Sequence, residues 1–458
     1  MKRASSLVGV AVTLAVAAAG FVVPSAIGAA AGSATSRSAR SDYATPTTAG
    51  AHWVNTWTAM PQLTEPGNMP PAPFTQSDLV FAHTTLRQTV HVSVGGRYMR
   101  LRLSNAFGGT DLPITAVSVA RPAGGKAGVS AVEPGSTHPV TFGGKPGMDI
   151  PMGAQAVTDP LDFPVQPGSN LTVTLYLADG QASTSITSHP GSRTTSYMVS
   201  GDHLDDTDLP GATTADHWYF LSGLEVWSRS NTSAAIMLGD SITDGRGSTT
   251  NMNNRWPDQL LARLQSKPGT SDIAILNQAA GGNRILHDGL GPNALARFDR
   301  DVLAQSGVSW LLVFEGVNDI GTADATEAAS KQVTADLIGA YEQIITRAHA
   351  QGLRVYGATI TPFGGNGYDD PSGYHEAARQ AVNDWIRTSG RFDAVVDFDK
   401  TVRDPADPHR LAPAYDVGDG LHLNPDGYHA MADAVPATLF RHSPAPTAFS
   451  QLPPATTH

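Results

Sequence analysis

Five short apolar runs, separated by amphipathic stretches, restrict the fold of the second half of this sequence. The runs cover 234–238, 273–276, 310–314, 354–358 and 394–396. Between two of them, Leu337, Tyr341, Ile344 and Ala348 recur at helical spacing. Buried strands that alternate with amphipathic helices are typical of βαβ units. The pattern therefore predicts a five-stranded parallel sheet covered by helices, with ligands bound beyond the carboxyl ends of its strands.

The residues from 52 to 228 have a β-rich pattern instead. The segments 86–94, 97–104 and 170–177 alternate polar and apolar residues over much of their length, and glycine and proline pairs separate them. The chain has 46 Gly and 32 Pro among 458 residues, which indicates many turns. Short strands at this spacing predict a β-sandwich or jelly roll, so we expect two folded domains, 52–228 and 233–442.

Four tryptophans lie near the two ends of this β-rich region: Trp53, Trp57, Trp218 and Trp227. We interpret them as packing together where those two ends pair in one sheet. A platform on which carbohydrate rings stack is the alternative.

The N-terminus has the pattern of a secretory signal peptide over 1–30. Lys2 and Arg3 precede the apolar run 7–23, and small residues follow, with cleavage expected near Ala30. A membrane anchor is the alternative, but a run of about 17 residues is short for a bilayer span. We therefore expect an extracellular protein without stable membrane insertion. A flexible leader over 31–51 and a disordered, proline-rich tail over 443–458 complete the expected organisation.

Charge and cysteine content exclude several classes of protein. The 30 Lys and Arg against 41 Asp and Glu give a net charge of -11, which disfavours binding to nucleic acid. The absence of cysteine excludes disulfides, thiolate catalysis and Cys-based zinc sites. The histidines lack the spacing of metal ligands, so we expect no metal and no organic cofactor. The oligomeric state is left open.

Three loops that follow predicted strands carry residues suited to nucleophilic catalysis or to oxyanion binding. The loop 239–245 places Ser241 between glycines, where a hydroxyl can be exposed on a tight turn next to a base. In the loop 277–283 a glycine lets a backbone N–H approach an oxyanion. Asn318, in the loop 315–319, can direct its amide N–H at developing negative charge. Each loop alone also fits an ordinary role: a loop turn at Ser241, a plain turn at the glycines, and a helix cap at Asn318.

A histidine and an aspartate lie near the C-terminus at a useful spacing. Asp419 is three residues before His422, so its carboxylate can hold Nδ1–H while the other ring nitrogen faces a serine. Asp426 and His429 have the same spacing, but Asn424-Pro425 predicts a helix start just before them. Side chains within that helix are less free to reach another loop, and we therefore favour Asp419 and His422.

Taken together, these blocks resemble the SGNH (GDSL-type) hydrolase superfamily of serine esterases. The ordered blocks are Gly239-Asp240-Ser241, Gly282, Gly316-Val317-Asn318-Asp319 and Asp419-Gly420-Leu421-His422. The resemblance covers about 233–440. It implies a flavodoxin-like three-layer sandwich with five parallel strands, preceded here by the all-β domain.

The resemblance also implies a role for each matched residue. Ser241 is the expected nucleophile, His422 the general base and then acid, and Asp419 the residue that orients His422. The expected oxyanion hole consists of the Ser241 and Gly282 N–H groups and the Asn318 amide. Gly281 is adjacent to Gly282, and counting five residues from Asn277 favours Gly282. We interpret Asp240, Asp244 and Asp319 as loop-stabilising rather than catalytic.

The expected function is hydrolysis of carboxylic esters through an acyl-serine intermediate. The β-rich region resembles, more loosely, one in secreted two-domain bacterial relatives grouped with xylan-cluster esterases, through Trp53-Val-Asn-Thr-Trp57 and Arg102-Leu-Ser-Asn-Ala-Phe107. The substrate, small or borne on a polysaccharide, is left open among acetylated carbohydrate, short aliphatic ester and lipid acyl chain. A secreted carbohydrate-binding protein with a vestigial hydrolase domain is the non-enzymatic alternative.

Overall fold

The structure, a computed structural model, describes residues 50–441, which all belong to one compact unit. The predicted signal peptide over 1–30, most of the predicted leader and the predicted tail over 443–458 lie outside the described residues. Within 50–441, no helix has the length and apolarity needed to cross a bilayer.

Residues 52–228 fold into β structure, as the sequence predicts. The strands, in chain order, are β1 (His52–Thr58), β2 (Gln62–Leu63), β3 (Thr75–Gln76), β4 (Leu79–Val80), β5 (Thr84–His91), β6 (Gly96–Ser104), β7 (Leu112–Ile114), β8 (Ala116–Ala120), β9 (His138–Val140), β10 (Met148–Ile150), β11 (Gln155–Val157), β12 (Leu161–Val165), β13 (Asn170–Leu177), β14 (Thr187–His189), β15 (Ser196–Ser200), β16 (Thr213–Ala215), β17 (Trp218–Tyr219) and β18 (Leu221–Ser228). Short 3₁₀ turns occur at Pro66–Asn68 and Ala123–Gly125.

Two antiparallel sheets make up most of this region. One has the order β1-β18-β6-β11, with β12 also paired to β6, and the other has the order β16-β15-β5-β13-β8-β9. The first and last strands pair directly, with Trp53 opposite Trp227 and their rings 5.4 Å apart. The Trp57 and Trp218 rings are 4.9 Å apart. The prediction that the tryptophans pack where the two ends meet is confirmed.

The remaining described residues form the parallel sheet and its helices. The elements are β19 (Ser233–Gly239), α1 (Ser241–Asp244), α2 (Trp256–Gln265), β20 (Ile273–Ala279), α3 (Ala294–Phe298), β21 (Val308–Phe314), α4 (Val317–Gly321), α5 (Glu327–Ala350), β22 (Arg354–Ala358), α6 (Tyr374–Thr388), β23 (Ala394–Val396), α7 (Phe398–Val402) and α8 (Pro425–Ala434). A π-helical turn, Asp299–Leu303, extends α3, and a 3₁₀ turn, Ala437–Phe440, ends the described chain.

The five strands are parallel and have the order β20-β19-β21-β22-β23. The chain moves outward from β19 to β20 and then reverses direction through β21 to β23. Because crossovers are right-handed, this reversal places α2 on one face of the sheet and α3, α5 and α6 on the other. Helix α8 packs against α2. The five predicted parallel strands and the preceding all-β region are confirmed.

The all-β region covers the outer edge of β20. Ser93 Oγ donates to the Ile275 carbonyl at 2.9 Å and accepts from the Ile275 N–H at 3.2 Å. Thr58 Oγ1 donates to the Asn277 carbonyl at 3.3 Å. Strand β20 pairs with β19 on its inner side, so these hydroxyls occupy backbone groups that face outward. The two regions therefore share a polar as well as an apolar interface.

Candidate active site

Ser241 lies on a tight turn where β19 ends and α1 begins. Asp240 is the N-cap of α1, and its carboxylate accepts from the Ile242 N–H at 2.9 Å. A Cβ on Gly239 would lie 2.4 Å from Thr243 Oγ1 and 2.8 Å from the Phe314 carbonyl oxygen, so this position requires glycine. The turn places the serine at the carboxyl end of β19, next to the edge strand β20, at the side of the sheet where open parallel sheets bind ligands.

Three of the predicted site residues form a continuous chain of hydrogen bonds. Ser241 Oγ lies 2.8 Å from His422 Nε2, and His422 Nδ1 lies 2.7 Å from Asp419 Oδ2. Asp419 Oδ1 also accepts from the backbone N–H groups of His422 and Leu421, at 2.8 and 3.0 Å. The carboxylate therefore fixes both the ring and the backbone of the histidine. This is the arrangement in which a serine hydroxyl can lose its proton to an imidazole.

The electrostatics of the site favour the neutral form of the His422 imidazole. Burial lowers the pKa of His422 below its usual value, and the Asp419 carboxylate opposes that effect without overcoming it. The nearby positive charges of Arg246 and Arg193 lower the same pKa further. Burial alone would raise the pKa of Asp419, but the hydrogen bonds from His422 hold it below the usual value. With Nδ1–H donated to the carboxylate, Nε2 is free to accept the serine proton.

The backbone distinguishes the two candidate glycines of the second loop. Gly282 has a φ of +68°, whereas Gly281 has no positive φ. A Cβ on Gly282 would also lie 2.7 Å from Leu290 Cδ1. The left-handed conformation therefore requires glycine at 282, the position favoured by the count from Asn277.

Asn318 connects the second and third loops. Its Nδ2 donates to the Asn283 carbonyl at 2.8 Å, and its Oδ1 accepts from the Tyr368 hydroxyl at 2.9 Å. These two bonds fix the orientation of the amide at the start of α4. One of the two Nδ2–H bonds is used in this way, and the other remains available to a ligand. Tyr368 was not predicted, since nothing near it in sequence resembles a motif.

The other acidic residues of the blocks bind backbone or a neighbouring region. Asp319 accepts from the Ile285 and Leu286 N–H groups, both at 2.9 Å. Asp244 Oδ1 lies 2.9 Å from His189 Nε2, which belongs to the all-β region. The histidine bonds the Met60 carbonyl through Nδ1 at 3.0 Å and stacks on Trp218. The turn that carries Ser241 is thus anchored to the all-β region, a contact that the sequence analysis did not predict.

The alternative pair at the C-terminus lies elsewhere. His429 is in α8, where its Nδ1 lies 2.8 Å from Gln259 Oε1 and its Nε2 lies 3.5 Å from Asp433. Asp426 is in the first turn of the same helix, which begins at the Asn424 cap as predicted. The structure thus brings Asp419 and His422, rather than Asp426 and His429, to Ser241.

A buried arginine that no sequence motif indicated holds the loops in register. Arg297, in α3, donates to the Gln278 carbonyl at 2.7 Å and to Asn283 Oδ1 at 2.8 Å. It also donates to the Gly239 carbonyl at 3.4 Å. Gly239 and Asn283 are close in sequence to Ser241 and Gly282, so one guanidinium ties both loops to the ends of their strands. Arg297 looks in the sequence like any basic residue of a short helix.

Two carboxyl groups lie in the low-dielectric interior below the site. Burial raises the pKa of Glu315 to about 8, although Arg297 opposes this, and it raises the pKa of Asp240 to about 7. Neither carboxylate oxygen of Glu315 has a hydrogen-bond partner among residues 50–441, and Arg297 Nη2 is 3.6 Å away. Within those residues, no cluster of three His, Asp or Glu side chains has the arrangement of a metal site.

The C-terminal half of the chain is similar to a known protein family. Residues 237–430 match the sequence profile of the GDSL-like Lipase/Acylhydrolase family. No curated protein matches the chain significantly. The matched segment runs from the end of β19 into α8 and contains Ser241, Asp419 and His422.

Several solved structures are similar to part of this chain. A lipolytic protein of the G-D-S-L family from Desulfitobacterium hafniense DCB-2 is 17% identical, with a TM-score of 0.33, over 44% of this chain and 97% of its own. The acetyl xylan esterase AlAXEase is 20% identical, with a TM-score of 0.33, over 44% and 96% of the two chains. A catalytic variant of Axe2, an acetylxylan esterase from Geobacillus stearothermophilus, is 17% identical, with a TM-score of 0.33, over 44% and 91%.

Proposed function

We propose that this chain, an ester-hydrolysing enzyme whose residues 237–430 form a GDSL-like lipase/acylhydrolase domain, is a secreted serine esterase. In this proposal it cleaves carboxylic esters through a covalent acyl-serine intermediate. The hydrogen-bond chain from Ser241 through His422 to Asp419 carries the proposal. The same proposal assigns the SGNH three-layer sandwich to 233–442, a sandwich or jelly roll to 52–228, and export to the signal peptide over 1–30.

Acylation begins when Ser241 Oγ attacks the ester carbonyl carbon. His422 Nε2 takes the hydroxyl proton as the new C–O bond forms, and the carbonyl oxygen becomes negatively charged. The imidazolium then gives this proton to the departing alcohol oxygen, and the ester C–O bond breaks. A water molecule repeats the sequence on the acyl-serine, so that a carboxylic acid leaves and the hydroxyl of Ser241 is restored.

Asp419 and the oxyanion donors act without exchanging protons. The Asp419 carboxylate holds the Nδ1–H tautomer of His422 and stabilises the imidazolium that forms during each step. The Ser241 N–H, the Gly282 N–H and the free Nδ2–H of Asn318 donate to the negatively charged oxygen. Such preorganised donors are each worth about 10²–10³ in kcat in other acyl-transfer enzymes.

The acyl group is the open part of this proposal. Acetyl esters on carbohydrate, short aliphatic esters and longer lipid chains all fit a mechanism that involves only the ester group. Leu290 lies over Gly282 and is half exposed, so an apolar side chain borders the proposed oxyanion donors. Profiling 4-nitrophenyl esters from acetyl to palmitoyl, with acetylated xylan alongside, separates the three classes.

The Ser241→Ala variant tests the assignment. We expect kcat for 4-nitrophenyl acetate to fall by about 10⁴-fold or more, with an unchanged free energy of unfolding. An organophosphate probe should label the wild-type protein at Ser241 and should not label the variant. Ser266→Ala, at the end of α2 and away from the site, is the matched control and should retain full activity. Retention of one tenth or more of wild-type kcat in Ser241→Ala would overturn the proposal.

A further inference from the structure

A loop of the all-β region reaches the nucleophile turn. This loop, residues 190–195, follows His189, whose Nε2 lies 2.9 Å from Asp244 Oδ1. A Cβ on Gly191 would lie only 1.7 Å from Asp244 Oδ2, so the loop backbone touches the turn directly. The Asn251 N–H donates to the Arg193 carbonyl at 2.9 Å. The backbone of Arg193 is therefore held beside the loop that follows α1.

The guanidinium of Arg193 has no partner in the part of the chain that the structure describes. Its Nε is buried without a hydrogen bond, and within residues 50–441 no carboxylate forms an ion pair with it. Its backbone has a φ of +50°, a left-handed conformation that an arginine rarely adopts. By contrast, the buried guanidiniums of Arg87, Arg297 and Arg379 all donate several hydrogen bonds. The protein thus holds one guanidinium at the site and leaves it unused.

Arg246 places a second positive charge next to the same residues. Its backbone N–H donates to the Ser241 carbonyl at 2.9 Å, and its side chain is exposed. Within residues 50–441, no hydrogen bond or ion pair engages that side chain. Both arginines are close enough to His422 for their charges to lower its pKa. Two guanidiniums near His422 thus lack an ion-pair partner among the residues that the structure describes.

Asp419 does not neutralise these cations. Its Oδ2 is bonded to His422 Nδ1 and its Oδ1 to two backbone N–H groups. The nearby Asp416 accepts from the backbone of Gly418 and Asp419 through Oδ1. The carboxylates of Asp419 and Asp416 are thus committed to their own loop, and neither forms an ion pair with the two guanidiniums among residues 50–441.

We propose that Arg193 and Arg246 bind an anionic group of the substrate, and that the enzyme prefers esters with a carboxylate or phosphate near the scissile bond. The inference rests on the proposed function, since it names the substrate class of that same site. A guanidinium donates in a planar fork that matches carboxylate and phosphate oxygens. Arg193 belongs to the all-β region, so that region contributes to specificity. Both residues act in binding and take no part in proton transfer.

Matched ester pairs that differ in charge test this proposal. The pair 4-acetoxybenzoate and 4-acetoxybenzamide carries the charge on the alcohol side. The pair mono-4-nitrophenyl glutarate and 4-nitrophenyl 5-oxohexanoate carries it on the acyl side. A third pair, 1-acetylglycerol 3-phosphate and 1-acetylglycerol, distinguishes a phosphate from a carboxylate. The measured quantity is the ratio of kcat/KM for the charged and neutral members of each pair.

We expect the wild-type ratio to exceed one by about tenfold in at least one pair and to fall at high salt. Arg193→Gln and Arg246→Gln should each lower that ratio by about fivefold, chiefly through the KM of the charged ester. Arg193→Lys should retain part of the preference. Arg229→Gln, exposed at the far end of β18, is the matched control and should leave every ratio unchanged.

The outcomes separate this inference from the proposed function. Wild-type ratios near one in all three pairs, or ratios unchanged in both Gln variants, overturn the role of the arginines. Hydrolysis of neutral esters that persists in Ser241→Ala overturns the proposed function instead. Arg246 is exposed, so Arg246→Gln gives a result even if Arg193→Gln does not fold.

Discussion

Two histidine–aspartate pairs of this protein have the same bond length and opposite character. In the all-β region, His203 Nδ1 lies 2.7 Å from Asp206 Oδ2, and in the parallel-sheet region His422 Nδ1 lies 2.7 Å from Asp419 Oδ2. Each pair is separated by three residues in sequence. The hydrogen bond to Asp206 raises the pKa of His203, whereas burial lowers the pKa of His422.

The second ring nitrogen explains the difference. His203 Nε2 lies 3.1 Å from the Ser200 carbonyl, an acceptor, so both ring nitrogens favour carrying hydrogen. His422 Nε2 faces the Ser241 hydroxyl, which donates, so one nitrogen stays unprotonated. Burial and the positive charges of Arg246 and Arg193 act in the same direction. An aspartate beside a histidine thus makes a base only where the other nitrogen meets a donor.

The largest expected effect comes from replacing the aspartate of each pair by asparagine, in two separate variants. Asp419→Asn should lower kcat/KM by about 10³–10⁴-fold, because the wrong tautomer of His422 is then held in place. Asp206→Asn, the matched change in the exposed pair, should leave kcat/KM unchanged. Steady-state kinetics with 4-nitrophenyl acetate measure both. Equal losses of kcat/KM in the two variants would contradict the conclusion that only the buried pair, Asp419 and His422, takes part in catalysis.

Buried arginines extend the comparison to the interior of each region. Arg87 donates to the Ser130 and Asp206 carbonyls at 2.7 and 2.8 Å, whereas Arg297 donates to carbonyls beside the catalytic loops. Arg87→Met and Arg297→Met should each lower the free energy of unfolding by about 3 kcal/mol or more, because carbonyl groups lose their donors. Only Arg297→Met should also lower kcat, by about 10–100-fold, because the loops that carry Ser241 and Gly282 would be displaced.

Urea unfolding gives the stability of these two variants, and titration of active sites with an organophosphate gives kcat per folded molecule. Unchanged kcat per active site in Arg297→Met would contradict its positioning role. A loss of kcat in Arg87→Met would show that the two regions are coupled more closely than their separate hydrogen-bond networks suggest.

The smallest expected effect is on pH dependence. Catalysis requires neutral His422, and its lowered pKa places the half-maximal rate below about pH 6.5 on the acidic limb. The raised pKa of His203 has the opposite consequence, since its stabilisation is fully present below about pH 6.5 and is lost as pH rises through the raised value.

A pH–rate profile and unfolding measurements on His203→Gln check this contrast. The variant should lose stability at pH 5.5 and much less at pH 8.5, whereas its rate profile should match that of the wild type. An acidic limb centred above about pH 7 would contradict the neutral imidazole at His422.

The sequence predicted the elements whose pattern is local. The predicted run 354–358 has the same bounds as β22, and Asn424 caps α8, which begins at Pro425. Both predictions succeeded because burial and capping act over a few neighbouring residues. The spacing of Asp419 and His422 also reflected a local turn. The contact of His422 with Ser241, in contrast, joins residues 181 positions apart in sequence. Only the ordered sequence blocks indicated that contact.

The residues that the sequence did not predict all contact the site from positions that are distant in sequence. His189 bonds Asp244 from a different sheet, and the Arg193 carbonyl, in the adjoining loop, accepts from the Asn251 N–H. Arg297 and Tyr368 support the loops from helices and loops with unremarkable composition. Residues 52–228 were predicted as a separate domain, and their composition gave no sign that they contact the turn that carries Ser241.

The hydroxyls of Ser93 and Thr58 have a consequence for the solubility of this enzyme. An edge strand with open backbone groups invites pairing with another chain, and β20 is an edge strand of the parallel sheet. Because Ser93 occupies the outward N–H and carbonyl of Ile275, and Thr58 the carbonyl of Asn277, that edge is closed to a second molecule. A fragment beginning at residue 233 would expose it, so the N-terminal half protects the catalytic half from aggregation.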